Sequence, residues 1–135
     1  MSLVAALKES PATLSRASSF TWMSGVFYMA SGALLLIWPA AAQTLLRDPD
    51  FVGHEAALMR VLGMCVLVIG WLYFFGGRSG GRQFVAATVA DRVVLVPIVL
   101  IPTALAGVFP HSLLLFAVAD PALALVSWFL LSRRS

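Results

Sequence analysis

The sequence predicts an all-α fold: an integral membrane four-helix bundle with both termini cytoplasmic. Three observations predict it. The chain is 61% hydrophobic and only 11% charged, with a mean hydropathy of +0.96, whereas soluble chains average about 25% charged residues. Its 135 residues hold four apolar runs, each close to the roughly 20 residues of helix that cross a hydrocarbon layer of about 30 Å. Short connections use up the rest, so one membrane domain without a second soluble unit is expected. The cations are also unevenly placed. Lys8, Arg16, Arg78, Arg82, Arg133 and Arg134 fall on one side of the alternating spans and Arg47 on the other, which by the positive-inside rule makes the first side cytoplasmic.

The tail, residues 1–17, sets Leu3, Val4 and Leu7 beside Lys8 and Glu9 before Pro11 interrupts any helix begun there. It reads as a short interfacial helix or a frayed end. A cleavable signal is not expected, because nothing basic precedes the apolar residues. Span 1 is placed at residues 20–40, with Trp22 and Trp38 as interface anchors. Ser24, Tyr28 and Ser31 make one weakly polar face of it, and Gly25 and Gly32 permit close helix approach. The connection from Gln43 to Glu55 sets Arg47 against Asp48, Asp50 and Glu55 and is net acidic.

Span 2, residues 56–75, carries Arg60 one turn inside its start and Gly63, Gly70 and Gly77 along nearly one side, again a packing pattern. The Gly-rich loop around Arg78 and Arg82 is a tight return; it lacks the spacing and terminal Lys-Ser/Thr of a phosphate-binding loop. Span 3, residues 84–106, contains Asp91 and Arg92, then Pro97 and Pro102, which should free the carbonyls of Val93 and Ile98 and bend the helix. Span 4 is residues 112–131.

Span 4 holds the residue that matters most. Asp120 lies about 12 Å below the start of the span, too deep for a short side chain to reach water. A lone carboxylate in lipid is costly, so it must be protonated, paired, or set in a wet cavity. Arg60 is the preferred partner, at about 6 Å depth from the same edge. Tyr28 and Ser127 are the alternatives, and Ala117, Ala124 and Ser127 share the face of Asp120. Arg92, about 20 to 25 Å from that edge, is expected to meet Asp91 or a headgroup phosphate. Counting Arg60, Asp91, Arg92 and Asp120 together gives a neutral intramembrane set.

Other chemistries find little support. His54, Glu55 and His111 all fall near the outer interface, but in separate loops without metal-ligand spacing, so no metal is expected. Nine scattered basic residues without an aromatic-basic patch do not suggest nucleic acid. The single Cys65 excludes an intrachain disulfide. No nucleophile with a base and no paired-carboxylate arrangement suggests hydrolysis.

From Arg60-x-x-Gly63-x6-Gly70 through Asp91-Arg92 to Asp120 ahead of an aromatic-rich end at Trp128, the chain resembles the small bacterial four-helix membrane proteins called DoxX-like. The resemblance implies a four-span bundle in a bacterial cytoplasmic membrane, with some members associated with membrane redox enzymes. Eukaryotic emopamil-binding-type proteins share the general design of acids around an apolar pocket, but no stretch here matches their motif and no site is carried over. The expected function is a small binding or accessory protein that holds a lipophilic molecule (lipid, quinone or isoprenoid) or docks against a larger membrane partner or a second copy of itself. The alternative is an enzyme on a lipophilic substrate, such as a double-bond isomerase, with Asp120 as proton donor or acceptor and Arg60 setting its acidity.

Overall fold

The structure, a computed structural model, describes residues 2–133; Arg134, counted above among the cations of one side, lies outside them. The fold is all-helical. Four of its helices are long and apolar enough to cross a membrane.

The tail forms one short helix, α1 (Leu3–Lys8), whose first turn is capped by Ser2 accepting from the Ala5 N–H at 3.2 Å. None of its residues is buried. The first long helix, α2 (Arg16–Ile37), starts before the expected residue 20 because Ser15 caps it, accepting from the Ser18 N–H at 3.1 Å. It stops before residue 40 because Pro39 has no N–H to continue the ladder. The proline instead opens a separate short helix, α3 (Pro39–Leu46), which ends on Arg47 in the left-handed conformation, φ 57°.

The second long helix, α4 (Glu55–Arg78), runs back antiparallel to α2, and glycines bring the two backbones together. Gly25 faces Gly70, Gly32 faces Gly63, and Gly77 faces Ser18 and Trp22. A Cβ added at any of these five glycines would fall within 3.0 Å of backbone atoms of the opposite helix. Spacing of seven on both helices keeps these contacts on one seam.

After a tight turn through Gly80, φ 73°, the third long helix, α5 (Arg82–Leu105), contains a π turn at Asp91–Leu95, where the Val96 N–H donates to the Asp91 carbonyl. The irregularity expected of Pro97 thus lies immediately upstream of it. A widened turn admits one extra residue where the proline ring would otherwise crowd the preceding carbonyls. The last long helix, α6 (Pro110–Ser132), has Pro110 at its first position. It packs along α5 and against α2.

Helix α4 packs chiefly on the first half of α5, where the Phe84 ring lies on Gly76 and edge-on to Tyr73 at 6.3 Å. Past the π turn the two helices part. The outward faces are apolar, with Phe27, Leu58, Leu72, Ile98, Val118 and Phe129 all exposed. Such a surface suits hydrocarbon as solvent.

Candidate functional site

Where α4 and α5 part, they leave a half-open cleft of about 300 Å³. Its walls are Leu62, Val66 and Ile69 of α4, and Leu95, Val96 and Val99 of α5. Phe116 of α6 closes the back, and the floor is polar: Tyr28 and Asp120. Asp120 sits ten residues into α6 and Tyr28 nine residues before the end of α2, so both lie about 14 to 15 Å from the same end of the bundle. Tyr28 is buried, 2% exposed. Its hydroxyl donates to Asp120 Oδ1. Ala117, Ala124 and Ser127, on the same face of α6, are all buried, so that face turns inward as a whole.

Arg60 does not reach Asp120. Its Nη1 donates to the Leu36 carbonyl at 3.3 Å, and the residue is exposed. Leu36 belongs to the last turn of α2, where carbonyls run out of helical donors. The arginine side chain extends toward that end and away from the apolar cleft, as long cationic side chains do. The expected Arg60–Asp120 pair is therefore replaced by the Tyr28–Asp120 hydrogen bond.

Arg92 takes a different place from the one expected. It meets neither Asp91 nor the surface of the bundle; it is 1% exposed. Its side chain runs back along α5, where Nε donates to the Thr88 carbonyl at 3.1 Å and Nη2 to the Thr88 hydroxyl at 3.2 Å and to Ser127 Oγ at 3.4 Å. Its guanidinium carbon lies 5.0 Å from the centroid of the Tyr73 ring, and Nη1 has no hydrogen-bond partner among the described residues. Tyr73 in turn stands edge-on to Tyr28, with centroids 5.6 Å apart. A column of side chains thus runs from Asp120 through Tyr28 and Tyr73 to Arg92, drawing on all four long helices. Asp91, beside Arg92 in sequence, is exposed on the outer surface and has no ion-pair partner among the described residues.

Tyr73 and Thr88 escaped the sequence reading. The signal for Tyr73 was present, since it lies on the same side of α4 as Gly63, Gly70 and Gly77, the side that the glycines mark as buried. Asp48 escaped it as well. Although it lies in the connection, Asp48 is buried, and its carboxylate accepts from the His111 N–H at 2.7 Å, from the Ser112 N–H and from the Ser112 hydroxyl. It caps α6 from another segment, because Phe109, the residue at the cap position, has no side-chain acceptor.

His111 Nδ1 lies 2.9 Å from the Leu46 carbonyl and 3.9 Å from Asp48. Among the described residues no three acidic, His or Cys side chains are grouped to hold a metal ion. Chemically, the cleft offers an apolar slot with one carboxyl and one phenol at its inner end, suited to hold a single molecule by its polar tip. No family model, curated protein or solved structure matches the chain.

Proposed function

We propose that the chain is a small integral membrane protein of the bacterial cytoplasmic membrane, with its termini-bearing end on the cytoplasmic side, that holds a lipophilic molecule in the cleft between α4 and α5. One observation carries this reading: an apolar slot of about 300 Å³, open sideways on an apolar surface, ends on the Tyr28–Asp120 pair. That volume is at the lower end of the range of small-molecule sites, which combine apolar walls with a few placed polar groups. A seam that served packing alone would be closed by side chains. The DoxX-like resemblance points to the same kind of protein, and docking of the loaded bundle to a larger membrane partner is compatible with it.

Native mass spectrometry of the detergent-extracted protein tests the reading. The wild type should carry an apolar adduct, and Val99→Trp, which fills the cleft from its mouth, should lose it. An adduct retained in full by Val99→Trp, or none in the wild type, overturns the proposal.

The position of Asp120 also favours a second reading, an enzyme acting on a lipophilic alkene, since a carboxyl at the end of an apolar slot can deliver and accept a proton. Arg60 has no part in it. Incubation of an isoprenoid alkene with the protein in deuterated water should then place deuterium at an allylic carbon, and Asp120→Asn should stop it. Absence of exchange in the wild type would dismiss this reading while leaving binding intact.

A further inference from the structure

Three ionisable side chains lie in the middle of the bundle: Asp91, Arg92 and Asp120, each about 13 Å or more from either end of its helix. Arg60 is not among them, because it is held at the end of α2 by the Leu36 carbonyl. At that depth the bundle carries one enclosed guanidinium, Arg92, one carboxyl at the cleft, Asp120, and one on its outer surface, Asp91. Arg92 is enclosed against Thr88, Ser127 and the Tyr73 ring and comes within ion-pair distance of neither acid.

Of the two acids only Asp120 lines the cleft. It forms part of the floor, with Oδ1 taken by Tyr28 and the other carboxyl oxygen without a hydrogen-bond partner among the described residues. Asp91 opens the π turn that Val96, a wall residue, closes, and it is exposed. An apolar slot with one carboxyl at its floor, and no lysine or arginine among its lining residues, selects its occupant by charge. A carboxylate in apolar surroundings is satisfied by a paired, hydrogen-bonding cation.

We propose that the cleft takes a lipophilic amine, with its protonated nitrogen on the free carboxyl oxygen of Asp120 and its hydrocarbon running out between α4 and α5. This rests on the lipophile-binding reading above and narrows it to one ligand class. A ketone or ester brings no proton to Asp120, whose donor among the described residues is Tyr28. A fatty acid is repelled by the carboxyl of Asp120. An alcohol can donate to Asp120 but brings no cation to pair with it.

Cys65, the only cysteine in the sequence, lines the same cleft and is exposed, so it reports occupancy. The experiment follows alkylation of Cys65 by N-ethylmaleimide on the full chain in an uncharged maltoside detergent at neutral pH. Decylamine, decanol and decanoate are added in turn at matched concentration. Decylamine should slow the reaction severalfold at concentrations where decanol and decanoate do not. Asp120→Asn should abolish that preference, and Val99→Trp should abolish protection by every probe. A chain carrying Cys65→Ser and Leu72→Cys, whose thiol faces outward, should be insensitive to all three.

Equal protection by decylamine and decanol would overturn the amine assignment and leave lipophile binding standing. Protection by none of the three overturns both. Persistence of the amine preference in Asp120→Asn removes the ammonium from Asp120. Should Asp120→Asn fail to fold, the comparison of the three probes on the wild type still decides the ligand class.

Discussion

Asp48 and Asp120 are both carboxylates withdrawn from water, and they are satisfied in different ways. Asp48 gathers backbone and side-chain donors from His111 and Ser112 at the start of α6, where the helix dipole also favours negative charge. Losing a capping side chain costs about 0.5 to 2 kcal/mol. Asp48→Ala should therefore lower thermal stability in detergent by that order, with Asp48→Asn in between; a melt identical to wild type would show that the cap contributes nothing. Among the described residues Asp120 has one donor, Tyr28. Because its partner is a phenol and not a guanidinium, Tyr28→Phe should cost only the hydrogen bond, about 1 to 3 kcal/mol, less than the 3 to 5 kcal/mol typical of breaking a buried ion pair. A melting shift in Tyr28→Phe matching that of Asp120→Ala would identify the pair as the whole structural role of the acid. The depth of Asp120 was legible from its place in an apolar run. Its partner was legible only as an alternative, Tyr28: Arg60, the preferred one, is long enough to reach it, but side-chain length says nothing of direction, and the Leu36 carbonyl at the end of α2 holds it.

At the scale of elements, the seam between α2 and α4 was written in the sequence, because Gly25, Gly32, Gly63, Gly70 and Gly77 recur at intervals of seven and small residues are what helices need for backbone contact. Backbone atoms of the facing helix leave no room for a methyl group, so Gly70→Ala must push the helices apart. Overpacking of this kind typically costs about 1 to 3 kcal/mol, sometimes more. The expected result is a clear drop in melting temperature in detergent. Gly81→Ala, at φ −70° with only Ser79 and Phe84 side-chain atoms near the new methyl, should melt close to wild type. Equal melting of the two variants would refute the seam. The π turn was less legible. Pro97 announces an irregularity, but which residues the widened turn takes in depends on packing against α4 and α6. That register sets Arg92 inward and Asp91 outward; the sequence shows only two adjacent charges.

At the scale of the whole molecule, the four long helices are tied in alternating directions by contacts remote in sequence. Gly77 lies against Ser18 and Trp22, Phe84 lies on Gly76, and Asp48 holds the start of α6. With these fixed, orientation in a membrane reduces to one binary choice, and every connection follows from it. One end of the bundle carries Lys8, Arg16, Arg78, Arg82 and Arg133; the other carries Arg47 among Asp48, Asp50 and Glu55, with Arg60 a turn inside. Lysine and arginine bias short connections toward the cytoplasm while acids contribute little, so the excess at the first end should place it inside. Single cysteines at positions 47 and 82, introduced in a Cys65→Ser background, make this measurable with a membrane-impermeant maleimide on intact cells. Arg47→Cys should label from outside, and Arg82→Cys only after permeabilisation. Labelling of both from the same side would contradict the alternation itself, and the reverse pattern would keep the bundle but invert it. In the inverted case Asp120, about 15 Å from the Asp48 end, would be reached from the cytoplasmic leaflet, so the same two thiols also decide from which leaflet the cleft is filled.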